Sequence, residues 1–129
     1  MPAVPPAHAR RILVVDDNLD VAQIMVALMR DMGHAVEYAI NARAALIEAR
    51  RLIPDFIFLD LNLPDMDGCE LARQLKLEPA LRATRIFAVT GSGSDEDRQR
   101  SLEAGCDDHL LKPVDPAFLE SLLGTARRF

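Results

Sequence analysis

Short apolar runs that alternate five times with segments of helical periodicity constrain this chain more than any other feature. The first run, Arg11-Ile-Leu-Val-Val-Asp16, is β-branched and stops at acids, as a strand buried on both faces of a parallel sheet does. From Leu19 the apolar positions Val21, Ile24, Met25, Leu28 and Met32 recur at three- and four-residue spacing and end at Gly33, which suits a helix C-cap. The cycle then repeats. Strands are expected over Ala35 to Ala39, Asp55 to Asp60, Arg85 to Thr90 and Asp107 to Leu111. Helices are expected over Ala42 to Leu52, Cys69 to Leu77, Asp95 to Ala104 and Pro116 to about Arg127. Such alternation builds βαβ units whose right-handed crossovers place helices on both faces, so the predicted fold is α/β, a doubly wound five-stranded parallel sheet with five helices.

The chain has 129 residues, the size of one domain, and half of them are hydrophobic, enough to bury a core. Residues 1–10, with three prolines, read as a flexible lead-in, and residues 11–127 as the domain. The longest apolar runs, Ile12 to Val15 and Phe56 to Leu59, are four residues long, far short of the ~18 that cross a bilayer, so no membrane insertion is expected. A net charge of −5 disfavours direct nucleic-acid binding, which needs clustered Lys and Arg. The two cysteines, Cys69 and Cys106, have no ligand-like spacing and suit small packed positions in a reduced, cytoplasmic protein.

In open parallel sheets the ligand crevice lies beyond the carboxyl ends of the strands. Those ends carry Asp16-Asp17, Asp60, Thr90 and Lys112-Pro113. Three carboxylates on one rim can hold a hard divalent cation such as magnesium, which prefers oxygen ligands and keeps several waters. A lysine pairs with an acid or a phosphate as a point charge, and a threonine hydroxyl donates a hydrogen bond to a phosphoryl oxygen.

Four segments in order carry a family resemblance: Ile-Leu-Val-Val-Asp16-Asp17-Asn18, Phe-Leu-Asp60-Leu-Asn-Leu-Pro64-Asp-Met-Asp67-Gly68, Ala-Val-Thr90-Gly91, and Glu-Ala-Gly-Cys-Asp-Asp-His-Leu-Leu-Lys112-Pro113. With 30 residues from Asp60 to Thr90 and 52 from Asp60 to Lys112, the chain resembles the receiver domain of a two-component response regulator, a flavodoxin-like sandwich. The resemblance implies that Asp60 is the phosphoacceptor, and that Asp17 and Asp60 ligate Mg2+ directly. Asp16 would act mainly through water, and the backbone carbonyl of Asn62 would complete the protein ligands. It implies further that Lys112 pairs with Asp60 and then with the phosphoryl group, that Thr90 turns its hydroxyl toward it, and that the Lys112-Pro113 bond is cis. The implied partner is a histidine kinase or histidine phosphotransfer protein, docking on the first helix at Asn18 and Leu19 and on Pro113-Val114. His109, where such domains usually carry Tyr or Phe, would be coupled to Thr90 as the switch, facing the fourth helix with Leu111. With Gly91, it resembles the receivers of hybrid histidine kinases.

Other groups read as ordinary. Asp65 and Asp67 suit a turn in which Gly68 permits a positive backbone dihedral. His8 and His34 lack ligand partners and suit the surface. Asp95 to Arg100 mixes charges as a solvated helix face does, and Arg127-Arg128 favours the last helix dipole. Two other classes fit worse. A haloacid dehalogenase phosphohydrolase resembles Asp-x-Asp where this chain has Asp60-Leu-Asn62, and a flavodoxin's phosphate would be repelled by Asp16-Asp17-Asn18-Leu19-Asp20.

Overall fold

A computed structural model describes residues 9–91 and 93–124. Its elements run in the order β1 (Arg11–Val15), α1 (Leu19–Asp31), β2 (Ala35–Ala39), α2 (Ala42–Leu52), β3 (Phe56–Asp60), α3 (Gly68–Leu77), β4 (Arg85–Thr90), α4 (Asp95–Glu103), β5 (Asp108–Leu111) and α5 (Pro116–Leu123), with one 3-10 turn at Pro79–Leu81. All pairs are parallel and the strand order is β2-β1-β3-β4-β5, so the winding reverses between β1 and β3. The alternation predicted from sequence is therefore the fold. The lead-in through His8, the end of the last helix toward Arg127, and Arg127-Arg128 lie outside the described residues.

The central strand β3 shows why the layers form. Every one of its five residues is buried, and side chains alternate across the sheet. Phe56 and Phe58 enter a cluster with Met25, Val26 and Met29 of α1 and Leu119 and Leu123 of α5. Ile57 and Leu59 enter the other, with Ala45 and Ala49 of α2 and Leu71 and Leu75 of α3. Helix starts are capped as their sequences allow: Asn18, Asn41, Asp67, Ser94 and Asp115 each accept a hydrogen bond from an amide of the first turn. Helix α1 stops at Met32, and Gly33 follows it with φ 96°, the left-handed step that glycine takes without strain.

His34 departs from its expected surface position: it is 5% exposed. Its Nδ1 accepts from the Arg10 amide at 2.9 Å and its Nε2 donates to the Gly124 carbonyl at 2.7 Å. One ring thus joins the residue before β1 to the residue after α5, and the neutral Nε2-protonated tautomer satisfies both bonds. Replacing His34 with Leu strands a partly buried amide and a partly buried carbonyl, together costing about 1–3 kcal/mol. Urea unfolding should show a loss in that range, with the slope of the transition unchanged.

Candidate functional site

The carboxyl ends of β1 and β3 flank the point where the winding reverses, and each ends in the same local structure. After β1, the Asn18 amide donates to Asp16 Oδ1 at 2.9 Å. After β3, the Asn62 amide donates to Asp60 Oδ1 at 3.0 Å. Aspartate readily accepts from the amide two residues on, and here that preference orients two carboxylates that are 3% and 5% exposed. The remaining oxygen of each is held by one cation, since Lys112 Nζ lies 2.9 Å from Asp16 Oδ2 and 3.2 Å from Asp60 Oδ2. The expected partner of Lys112 was Asp60; the structure divides the lysine between the two acids and brings it nearer Asp16.

Asp17 completes the group on the exposed side. Carboxylate oxygens of Asp16, Asp17 and Asp60 lie within 4.8 Å of one another, a hard, all-oxygen donor set open to solvent at one edge. Such a set fits a magnesium ion, which retains water at its other positions. Burial pushes the Asp60 carboxyl above its ordinary range, and the Asp16 charge adds to this, against the Asn62 amide and Lys112. Burial opposes the charge of Lys112, but its hydrogen bond to Asp16 and the two carboxylate charges hold its ammonium above the usual value.

Thr90 is 2% exposed at the end of β4, one residue past Val89, which pairs with Asp60. Its carbonyl accepts from the Lys112 amide at 2.8 Å, and the Lys112-Pro113 bond is cis. Lys112 is thereby fixed at its backbone by β4 and at its tip by the acids. His109 stands opposite Ala88, on the sheet face that also packs Ala104 and Cys106, which is the α4 side expected from strand alternation. Its ring Nε2 is enclosed and has no hydrogen-bond partner among the described residues. Both cysteines are buried free thiols, and burial pushes the Cys106 thiol up to about 12, so it is inert at neutral pH.

The loop from Leu61 to Gly68 is where sequence reasoning fell short. Gly68 does not adopt a positive dihedral. It opens α3 buried against the end of β3, and a Cβ there would lie 2.5 Å from Leu61 Cα and 2.9 Å from the Asp60 carbonyl oxygen. Glycine is required by close approach, and its amide closes the loop on the Leu61 carbonyl at 3.0 Å. Asp67 is more than a turn residue. Its Oδ1 caps α3 through the Cys69 amide at 2.8 Å, and its Oδ2 meets Arg100 of α4 at 2.8 Å. A spacing rule cannot see these contacts, because they depend on how closely α3 and α4 approach the loop.

A doubly wound sheet with an acid cluster, a shared lysine and a hydroxyl on the rim of its switch point is the architecture of a signalling domain. Residues 12–123 match the family described as the response regulator receiver domain, and the chain belongs to that family, the receivers of two-component signalling systems. An uncharacterized 14.6 kDa protein of Leptolyngbya boryana is 38% identical over 87% of this chain and 86% of its own length. The signal transduction histidine-protein kinase BarA of Shigella flexneri is 36% identical over 89% of this chain, which spans only 12% of that protein. Among solved structures, the chemotaxis response regulator CheY4 of Vibrio cholerae superposes with a TM-score of 0.83 at 30% identity, covering 89% of this chain and 97% of that one. Among the described residues, no helix is long and apolar enough to cross a membrane.

Proposed function

We propose that this receiver, taking in residues 11–127, accepts a phosphoryl group on Asp60 from a phosphohistidine of a histidine kinase or histidine phosphotransfer protein, with magnesium held by Asp16, Asp17, Asp60 and the Asn62 carbonyl. The observation that carries this reading is the acid pair Asp16 and Asp60, each with one oxygen fixed by a backbone amide and the other by Lys112. Asp60 attacks phosphorus, the phosphorus–nitrogen bond to the histidine breaks, and an acyl phosphate forms. Water later attacks phosphorus, the phosphorus–oxygen bond to Asp60 breaks, and inorganic phosphate leaves. The magnesium ion would neutralise charge on the phosphoryl oxygens as it passes through the transition state.

Lys112 already sits where that charge develops, so it moves from the carboxylates to a phosphoryl oxygen without leaving the rim. The Thr90 hydroxyl donates to another, and its displacement leaves room for the His109 ring, whose buried Nε2 without a partner suits a side chain with a second position. That motion would switch the face made by α4, β5 and α5. The catalysis is confined to the domain's own phosphorylation and dephosphorylation. The reducing cytoplasm suits its two buried free thiols. The test is labelling by acetyl phosphate with the site mapped by mass spectrometry: a magnesium-dependent phosphate on Asp60 is expected, and a phosphate elsewhere, or none, defeats the reading.

A further inference from the structure

Asp65 stands at the exposed tip of the Leu61-to-Gly68 loop, where its sequence context suggests an ordinary turn. Its two oxygens instead reach across to a different element. Oδ1 accepts from the Ala42 amide at 2.8 Å, and Oδ2 accepts from the Arg43 amide at 3.1 Å. These are the first two amides of α2, which have no partner inside the helix. The third, Ala44, is taken by the helix's own cap, Asn41, at 2.8 Å. So three of the four orphan donors of α2 are satisfied by two residues 24 positions apart, one from the preceding turn and one from the loop after β3.

The anchor is firm because α2 is firm. Ala42, Ala45 and Ala49 are fully buried against the sheet. The strand leading into α2 is tied to the acid cluster itself, since the Asp16 amide donates to the Ala39 carbonyl at 3.0 Å. The loop's base is closed by Gly68 and by the bridge between Asn62 and Asp67. Its apolar residues Leu63 and Met66 are only partly buried, and such contacts are not directional. Asp65 supplies the directional tie at the tip, with both oxygens engaged.

We propose that Asp65 is a positioning residue for the phosphoacceptor site: by capping α2 from outside, it ties the loop that carries Asn62 to the start of α2, which Ala39 in turn links to the Asp16 backbone. This rests on the proposed function, because it assigns Asp65 the task of holding two halves of one magnesium site in register. Residues that orient metal ligands from behind change metal affinity by about 10–100-fold when removed. A tie one loop away from the ligands belongs at the low end of that range.

The experiment compares magnesium binding by calorimetry, and acetyl phosphate labelling at saturating magnesium, in the full chain and in Asp65→Ala, Asp65→Asn and Asn41→Ala. Asn41→Ala removes a cap from the same helix without touching the loop, so it reports the cost of a weakened α2 alone. Asp65→Ala should bind magnesium about tenfold more weakly and label more slowly. Asp65→Asn keeps one acceptor and should fall between it and wild type. Asn41→Ala should lower the melting temperature but hold magnesium affinity within about twofold, as a surface change remote from the ligands does. Wild-type affinity in Asp65→Ala, or in Asp65→Asn if the alanine variant does not fold, alongside unaltered labelling overturns the proposal. Equal loss of affinity in Asn41→Ala also overturns it. Failure of the wild type to bind magnesium overturns instead the reading on which the proposal rests.

Discussion

Asp60→Asn should reduce labelling by acetyl phosphate to background and, in chelator at neutral pH, yield a folded protein more stable than wild type. The first effect removes the attacking oxygen while keeping side-chain shape. The second follows from electrostatics. The folded-state pKa of Asp60 is raised above its unfolded value by burial and by Asp16, so the native state holds that proton more tightly than the unfolded chain. Stability from this group therefore falls as pH rises from the unfolded value through the raised folded one, and the penalty persists at neutral pH. Asparagine cannot ionise and escapes it, while Lys112 keeps its 2.9 Å partner in Asp16. Thermal unfolding from pH 4 to 8 with chelator should show the variant's advantage growing with pH. Magnesium should raise the melting point of wild type, as any ligand of the native state does, and have little effect on the variant. A variant less stable than wild type at neutral pH would contradict the charge argument, and a phosphate still forming on it would contradict the acceptor assignment.

The second large effect concerns docking. Beside the acid rim, α1 and the segment after β5 enclose a groove of about 370 Å³ whose lining includes Val21, Ile24, Met25, Leu28, Pro113 and Val114, together with Lys112. Ile24 is 61% exposed, a large apolar side chain turned to water in this groove. The sequence pointed to Leu19 and Val114; Leu19 is 45% exposed, and Ile24, five residues further along α1, adds a second exposed apolar side chain on the same helix. Placing aspartate at both Ile24 and Val114 puts two charges into a surface that a partner must desolvate. Anchors of this kind are worth about 2 kcal/mol or more each, so transfer from a phosphorylated histidine protein should fall at least ~100-fold. Labelling by acetyl phosphate needs no docking; Ile24→Asp, an exposed substitution, should leave it within about twofold, and the partly buried Val114 position is checked by the melting temperature of the double variant. Equal loss of both reactions would remove this groove from the docking face.

How much could be read from the chain depends on the kind of contact involved. β3 was legible because Phe-Ile-Phe-Leu is apolar without a break, which a strand covered on both faces demands. The acids were legible because strand ends in a parallel sheet must meet at one rim. What stayed hidden were side chains whose roles are set by a distant amide or carbonyl. His34 looked like a surface residue because its partners, Arg10 and Gly124, are neighbours only after β1 and α5 have packed. Asp65 looked like part of a turn for the same reason. Gly68 read as an ordinary turn glycine with dihedral freedom, since only the 2.5 Å approach of Leu61 reveals the crowding that requires it.

The ring of His34 has a consequence for how this unit can be joined to others. Arg10 and Gly124 meet at the amino ends of the strands, whereas Asp16, Asp60 and Lys112 stand at the carboxyl ends, a strand's length of about 16 Å away at 3.3 Å per residue. Cargo fused at either end, or inserted as a cassette between two flanking modules, would hang from a single pole of the molecule. The opposite pole, which carries Asp16, Asp60 and Lys112, would stay unshaded by anything attached beside Arg10 and Gly124.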